Sequence, residues 1–409
     1  MKIVLDIFSL FKKHSEFPLI FDDEEMYSLR LFDDEILSFS MSRSGLDGLK
    51  TRILRVNHSK RRLLPPDLEL NNEALLQWLK RRVIPKNRAF VADILNTMGL
   101  TPGDTKGIID VCKGLSLNDS YWVTPSGFGG KFKDYNLYEN GFSEILSLIA
   151  YTGRGRTRQP FTTSPEFTTH GMLRKAWRVL DDGIYLFKGG TEGFLNAGLE
   201  PYSEYYAYQV AQRMGLNAVP YDLVKWKGIL SSKCRLFTDI NTAYIPIGHI
   251  VRRGGLSACL DFYSGISQQA LEEVRSMLVF DAVIYNEDRH YGNFGVLMDS
   301  RTCRIFAPAP IFDNGVSLFN YAVKEDIADL KSYARTRPNP YDIPYEQICA
   351  EVLGQKQRGQ LKKLIGFRFK RHSQYNLPEY RLKAIERQIN LRVSELLSLP
   401  KKLTIRTGN

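Results

Sequence analysis

The most constraining feature of the sequence is a polar loop at residues 285–294, which is followed by an Asp-Asn-Gly turn within residues 311–315. Asp288 precedes Asn293 by five positions, and a short predicted hairpin separates this loop from Asp313. A carboxylate can accept or orient a hydroxyl proton, while carboxylate and amide oxygens are ligands that Mg²⁺ prefers. The spacing therefore predicts Asp288 as a base, with Asn293 and Asp313 as two metal ligands.

The flanking segments support this interpretation. Residues 268–284 carry apolar side chains at helical spacing, which predicts a buried helix leading into the loop. Two short strands are predicted on either side of a turn at 299–302. Helix, polar loop, hairpin and Asp-x-Gly is the order found in the large lobe of protein kinases. The alternative is a pair of ordinary polar turns, which explains each loop separately but not their combination.

Upstream residues predict a nucleotide-binding half. Strands at 177–180 and 184–188 place Lys188 on an otherwise apolar face, where a lysine needs an anionic partner such as a phosphate. A helix predicted at 204–215 begins with Glu204, which fits the lysine–glutamate ion pair of kinases. The alternatives are a lysine that reaches water from an edge strand and a glutamate that complements the helix dipole.

Two further segments are candidates for contact with a nucleotide. Gly171, with its neighbouring amides and hydroxyls, is predicted to cover phosphates, with Lys175 nearby. Residues 236–239 follow a predicted strand and include Phe237. In a kinase this position leads into the hinge that holds adenine with backbone groups, so we predict the hinge here.

Seven residues occur in an order that points to one family. They are Lys188, Glu204, Asn286, Asp288, His290, Asn293 and Asp313. This pattern resembles the HipA-like serine/threonine kinases, which are relatives of bacterial persistence toxins. The resemblance covers residues 160–400, and the segment 164–175 looks like the phosphate loop of that family.

The resemblance implies a function and a site. It implies Mg²⁺-ATP-dependent transfer of the γ-phosphoryl group to a protein hydroxyl, with Asp288 and His290 in the catalytic loop. It also implies self-phosphorylation within the 164–175 loop at Thr168 or Thr169, with ejection of that loop as an off-switch. Related toxins act on translation factors and pair with a DNA-binding antitoxin, so a protein substrate and such an antitoxin are the implied partners.

The expected fold class is α+β, with a bilobal kinase-like arrangement and an additional N-terminal region. We expect an accessory or partner-binding region at 1–155, a mostly β small lobe at 160–240 and a helical large lobe at 241–409. A linker is predicted at 153–160. Residues 1–70 suggest short strands and turns, and short helices near basic residues follow them. These helices leave DNA recognition by this region open, as the less favoured interpretation.

Composition limits the compartment and the partners. The chain has a formal net charge of +11, which leaves direct nucleic-acid binding open, but solvated faces of C-terminal helices are the favoured interpretation. Its five cysteines include no Cys-x-x-Cys pair, which argues against a disulfide framework and favours a reducing cytoplasm. No apolar run approaches the ~20 residues that a membrane span needs.

Two other functions use the same residues. A kinase for a small molecule would need the same base and metal ligands. A non-catalytic nucleotide-binding or DNA-associated module would keep the fold, although the expected metal ligands are all present in the sequence.

Overall fold

The computed structural model describes residues 24–44, 48–155, 164–193 and 197–400. An N-terminal unit, residues 24–155, is built on a four-stranded antiparallel sheet in the order β3-β2-β1-β4. Its elements are β1 (Glu25–Leu31), β2 (Asp34–Ser44), β3 (Gly48–Val56), α1 (Asn72–Lys80), α2 (Val91–Asn96), α3 (Thr105–Cys112), β4 (Tyr121–Pro125) and α4 (Glu144–Thr152). Tyr27, Leu29 and Leu31 alternate along β1 and are buried, because alternate residues of a strand share one face.

The helices of this unit begin and end at residues that cap them. The side chain of Asn71 accepts a hydrogen bond from the backbone of Ala74 at the start of α1, and that of Asp104 does the same for Gly107 at the start of α3. The predicted linker at 153–160 lies partly outside the described residues, and Gly153 ends α4 in the left-handed conformation.

The small lobe is a second four-stranded antiparallel sheet, in the order β5-β6-β8-β7, against which its own helix and α4 of the N-terminal unit pack. Its elements are β5 (Lys175–Leu180), β6 (Gly183–Gly189), α5 (Glu200–Met214), β7 (Tyr221–Trp226) and β8 (Ile229–Arg235). The helix α5 ends at Gly215, as predicted, but it begins four residues earlier than predicted. Glu204 therefore lies in its second turn, which corrects the interpretation of this residue as the head of the helix.

The large lobe combines a three-stranded sheet, in the order β11-β10-β9, with a set of helices. Its elements are β9 (Thr242–Pro246), α6 (Ile247–Ile250), α7 (Gly255–Ile266), α8 (Gln268–Ile284), β10 (Gly295–Asp299), β11 (Ile305–Pro308), α9 (Lys324–Ala328), α10 (Leu330–Ala334), α11 (Tyr345–Val352), α12 (Gln355–Lys362) and α13 (Glu379–Ser398). The helix α8 spans the residues that the apolar periodicity predicted, and its last half is almost entirely buried. It therefore forms the centre of the large lobe and delivers the 285–294 loop.

The predicted α+β class is confirmed, because antiparallel sheets and helices occur together in the first two units and helices dominate the third. The N-terminal unit packs against the rest of the chain. Thr238, after β8, donates to the carbonyl of Leu117, and Tyr244 of β9 donates its backbone N–H to Asn118. Among the helices that the structure describes, none has both the length and the hydropathy that a membrane span requires.

Candidate active site

Three residues from different elements meet in the cleft between the lobes. Lys188 extends from β6, Glu204 from α5, and Asp313 from the segment after β11. The ammonium of Lys188 lies 3.1 Å from a carboxylate oxygen of Glu204 and also pairs with the carboxylate of Asp313. The second oxygen of Glu204 accepts a hydrogen bond of 2.7 Å from the backbone of Asn314. One buried lysine thus joins the small lobe to the large lobe.

Electrostatics divide the charge unequally between the two carboxylates. Burial raises the pKa of Glu204 to about 7, since the attraction of Lys188 only partly offsets desolvation and Asp313 adds a second negative charge. Burial also disfavours ionisation of Asp313, but the ammonium groups of Lys188 and Lys175 outweigh it and hold the pKa of Asp313 well below its usual range. The negative charge therefore stays on Asp313, and an ionised carboxylate is the form that can bind a hard cation.

The backbone at Asp313 explains how this carboxylate is aimed. Asp313 has a φ of 55°, in the left-handed region that aspartate tolerates better than most side chains. Its N–H donates to the hydroxyl of Tyr221 in β7 at 3.1 Å. A small-lobe tyrosine thus supports a large-lobe turn, which sequence reasoning did not predict.

The 285–294 loop is closed by its own side chains. The N–H of Asp288 donates to the side chain of Asn286 at 3.1 Å, which makes an Asx-turn. The amide nitrogen of Asn293 donates to the carbonyl of Asp288 at 2.8 Å, so the amide oxygen is the atom that remains for a metal ion. The polar-turn interpretation and the catalytic one are therefore compatible, because the turn shapes the loop that presents Asp288.

Asp288 and His290 lie on the open side of this loop. Their carboxylate and imidazole are 4.0 Å apart, and each side chain is about half exposed, at 47% and 52%. Burial raises the pKa of Asp288, with His290 opposing the shift and Asp313 adding to it. A base is most effective when its pKa approaches the working pH, so the direction of this shift suits proton acceptance.

A buried arginine, Arg289, organises the loop and was missed by sequence reasoning. Its guanidinium lies 3.0 Å from the carboxylate of Asp281 in α8 and donates to the carbonyls of Asn293 and Phe312 at 2.9 and 2.6 Å. It also pairs with the side chain of Asn314. A single side chain therefore ties the central helix, the 285–294 loop and the Asp313 turn together.

A signal for this contact was present in the sequence. Asp281 interrupts the apolar run 277–284 of α8, and a buried carboxylate needs a cationic or hydrogen-bonding partner. Two tyrosines add support from beyond the site without any such signal. Tyr341 donates to the carbonyl of Arg289 at 2.6 Å, and Tyr345 donates to that of Asn286 at 2.7 Å.

The 164–175 loop brings Gly171 and Lys175 together. Gly171 has a φ of 93°, and a Cβ atom there would lie 2.1 Å from the ammonium of Lys175. That ammonium donates to the carbonyl of His170 at 2.8 Å. Burial, with repulsion from Lys188, lowers the pKa of Lys175 to about 7. A buried lysine of this kind lacks a full counter-charge, which a phosphate would supply.

The hydroxyls proposed for self-phosphorylation are engaged within the same loop. Thr168 and Thr169 both donate to the carbonyl of Pro165, at 3.3 and 2.6 Å, and Thr168 is buried. Thr169 also accepts a hydrogen bond from the indole of Trp177. The hydroxyl of Ser164, at the start of the loop, accepts a hydrogen bond from the backbone of Glu166. None of these three hydroxyls projects freely from the loop.

Phe237 lies beside the Asp313 turn. Its ring centroid is 5.3 Å from that of Phe312 and 5.5 Å from that of Tyr244. The backbone N–H groups of Leu236 and Asp239 donate to the carbonyls of Ile184 and Thr242. The backbone between these two residues is therefore the part of the predicted hinge that could contact adenine.

The donor set fits Mg²⁺ shared with phosphates. Within the described ranges no group of three or more histidine, cysteine, aspartate or glutamate side chains is placed to hold a metal ion. Mg²⁺ in phosphoryl-transfer sites needs fewer protein ligands than that, since it is bound by one or two carboxylates together with water and phosphate oxygens. Asp313 as an ionised carboxylate and Asn293 as an amide oxygen are compatible with this kind of site.

Comparison with solved structures decides the fold. Shewanella oneidensis HipA, in a complex with HipB and operator DNA, matches with a TM-score of 0.51 and 11% identity over 91% of this chain and 100% of that chain. The chain has a HipA-like kinase fold. The Helicobacter pylori proinflammatory kinase CtkA also matches, with a TM-score of 0.44 and 18% identity over 55% of this chain and 92% of that chain. No protein-family model and no curated protein matches the sequence.

The HipA-like fold accounts for the order of the site residues along the chain. A small lobe supplies Lys188 and Glu204, and a large lobe supplies Asp288, Asn293 and Asp313 after its central helix. The resemblance drawn from the sequence is confirmed at the level of the fold.

Proposed function

We propose that this protein is a Mg²⁺-ATP-dependent serine/threonine protein kinase. The observation that supports this most strongly is the contact of Lys188 with both Glu204 and Asp313 across the cleft. In phosphoryl transfer such a lysine is fixed by a glutamate and placed on the phosphates beside the metal-binding aspartate. A structural ion pair alone does not require a second carboxylate on the same buried lysine, because each added buried charge is unfavourable.

Each residue has a defined task in this proposal. Lys188 and Lys175 bind phosphate oxygens, and Gly171 lets the backbone approach them. Asp288 accepts the proton of the acceptor hydroxyl, with His290 beside it to steady the charge. Mg²⁺ held by Asp313 and Asn293 would neutralise phosphate charge as it develops.

The partners are proposed on chemical and comparative grounds. The acceptor is a protein hydroxyl, and self-phosphorylation at Thr168 or Thr169 is a second route that requires the 164–175 loop to open. An antitoxin that binds DNA is proposed by analogy with the HipA–HipB–operator complex. We place the activity in the cytoplasm, where ATP is available.

Transfer from γ-labelled ATP with Mg²⁺ tests the proposal. We expect label on protein with the wild type and none with Asp288→Ala or Asp313→Ala. Asp261→Ala, which removes an exposed carboxylate on α7, is the matched control and should retain transfer.

The destination of the label separates the alternatives. Label only on a small molecule would favour a small-molecule kinase on the same fold. Nucleotide binding that requires Asp313, without any transfer, would contradict the role of Asp288 as a base and leave a nucleotide-binding module.

A further inference from the structure

The 164–175 loop is wrapped around one guanidinium that comes from the N-terminal unit. Arg88 follows α1 and is 2% exposed. It donates to the carbonyls of Glu166, Thr169 and Lys175 at 2.8, 3.3 and 3.0 Å, and it pairs with the carboxylate of Glu166. Both ends of the loop are therefore held by the same side chain, and we call this set of contacts the Arg88 clamp.

The carboxylate in the clamp has a second task. One oxygen of Glu166 pairs with Arg88, and the other accepts a hydrogen bond of 2.9 Å from the backbone of Trp177 in β5. Neither side chain of the pair has measurable exposure to solvent. The clamp therefore connects the N-terminal unit, the loop and the first strand of the small lobe through fully buried charges.

Backbone contacts from the same segment frame the rest of the loop. The N–H of Ile84 donates to the carbonyl of Phe167 at 2.7 Å, and that of Ala89 donates to Met172 at 2.9 Å. The imidazole of His170 makes a hydrogen bond of 2.7 Å with the carbonyl of Arg81. Residues 81–89 thus contact the loop at both ends and near Gly171.

We propose that Arg88 is a positioning residue for nucleotide binding, so that the phosphate-binding loop is complete only when the N-terminal unit is docked on it. The inference rests on the proposed function, since it assumes that the loop covers phosphates. The hydrogen bonds described for the Arg88 guanidinium all go to residues of the 164–175 loop. Arg88 acts through the carbonyl of Lys175 and the carboxylate of Glu166, which fix the backbone on which Gly171 and Lys175 are carried.

The chemistry of the clamp requires arginine. A guanidinium presents five N–H donors in a rigid plane, whereas a lysine ammonium is a compact charge with three donors. Lysine at position 88 would keep a positive charge near Glu166 but would not reach three carbonyls spread along ten residues of chain. We therefore expect Arg88→Lys to loosen the loop while it retains the sign of the charge.

A second buried arginine of the same unit offers a matched control. Arg82 is 7% exposed and pairs with Asp119, and it donates to the carbonyls of Gly114 and Tyr121. All of these partners lie within the N-terminal unit. Arg82→Lys should therefore weaken that unit to a similar extent without acting on the 164–175 loop directly.

Two measurements on the full chain test the proposal. The first is hydrogen exchange of the amides from Glu166 to Trp177 without nucleotide, which should become faster in Arg88→Lys than in Arg82→Lys. The second is the KM for ATP, which we expect to rise about tenfold to a hundredfold in Arg88→Lys while kcat changes much less. A rise of this size corresponds to the loss of one or two charge-assisted hydrogen bonds. Glu166→Gln, which keeps the shape and loses the charge, replaces Arg88→Lys if that variant does not fold.

The outcomes separate this inference from the function on which it rests. Equal loop exchange in the Arg88→Lys and Arg82→Lys variants, or an equal rise in KM for ATP, would overturn the role of Arg88. Faster loop exchange confined to Arg88→Lys, in a protein whose wild type binds no nucleotide with Mg²⁺, would support the clamp and overturn the proposed kinase function instead.

Discussion

Replacement of Lys188 by methionine is the perturbation that tests the cleft most directly. Methionine has a similar length and volume but no charge. It would leave the carboxylates of Glu204 and Asp313 facing each other in a buried cleft without the cation between them. The expected result is a loss of phosphoryl transfer together with a loss of stability that depends on pH.

The structure sets the size of this effect. Even with Lys188 present, burial raises the pKa of Glu204 from 4.5 to about 7. At 1.36 kcal/mol per pKa unit, the ionised Glu204 therefore lowers the stability of the fold by roughly 3 kcal/mol above pH 7. Removal of one partner from a buried ion pair typically destabilises a protein by about 3–5 kcal/mol. We expect Lys188→Met to lower the free energy of unfolding by that amount at about pH 8.

The sign of the pH dependence follows from linkage. An acid whose pKa is higher in the folded state destabilises that state when it is ionised, and the penalty disappears as the pH falls through the folded pKa toward the unfolded value. For Glu204 this window runs from about 7 down to 4.5. Without Lys188 the folded pKa rises further, so the difference between variant and wild type should shrink at about pH 5.

Urea denaturation of both proteins at the two pH values provides the assay. Lys225→Met, an exposed change on β7 of the same sheet, is the control and should alter stability by less than about 0.5 kcal/mol. The double variant Lys188→Met/Glu204→Gln should recover part of the loss at high pH, because it removes one of the two uncompensated charges. A destabilisation that is equal at both pH values would refute the assignment of Lys188 as the cation shared by two ionised carboxylates.

Three further predictions concern single residues of the site. Asp288→Asn should lower the rate of transfer by about 10²- to 10⁴-fold, measured by label transfer, with little change in Mg²⁺-ATP affinity, measured by nucleotide titration. A large fall in affinity would contradict a role confined to proton transfer. Lys175→Met should stabilise the ligand-free protein most below about pH 7, and the gain in stability should fall progressively toward pH 10.5. Between these values the unfolded wild type binds more protons than the folded wild type, because the pKa of Lys175 is lowered to about 7 in the fold. A change in Tm that does not depend on pH would contradict this. Arg289→Met should lower the free energy of unfolding by roughly 3–5 kcal/mol, measured by calorimetry, because the buried carboxylate of Asp281 would lose the cation that pairs with it, and a change below about 1 kcal/mol would contradict this.

Local sequence patterns predicted several helix boundaries of the fold. The helix α8 was predicted with the bounds that the structure shows, because a buried helix needs apolar residues at helical spacing over its whole length. The end of α5 followed from Gly215, whose φ of 77° favours glycine after a helix. The start of α5 was less accurate, since Glu200 and Pro201 begin it without a side-chain cap.

Contacts between distant residues account for what the sequence did not predict. The Arg88–Glu166 pair joins positions separated by 78 residues, and neither residue belongs to a local pattern that names the other. The same holds for the hydroxyl of Tyr221, which supports Asp313 from another lobe. Spacing within a segment can predict which side chains share a face. It cannot predict which of several buried charges pair, because that choice depends on the packing of whole units.

The charge balance of the cleft explains why the ligand-free protein holds its site residues so close together. One ammonium faces two carboxylates, so above about pH 7, where Glu204 is ionised, the group of Lys188, Glu204 and Asp313 has a surplus of negative charge in a largely buried setting. A divalent cation on Asp313 would reverse that surplus and would release Lys188 from Asp313, while Glu204 still fixes it from the other side. The freed ammonium would then be directed at an anion beside the metal ion, which is where a phosphate must lie for transfer. Under the proposed function, the same contact that ties the lobes together without a ligand would therefore prepare both charges of a Mg²⁺-phosphate site.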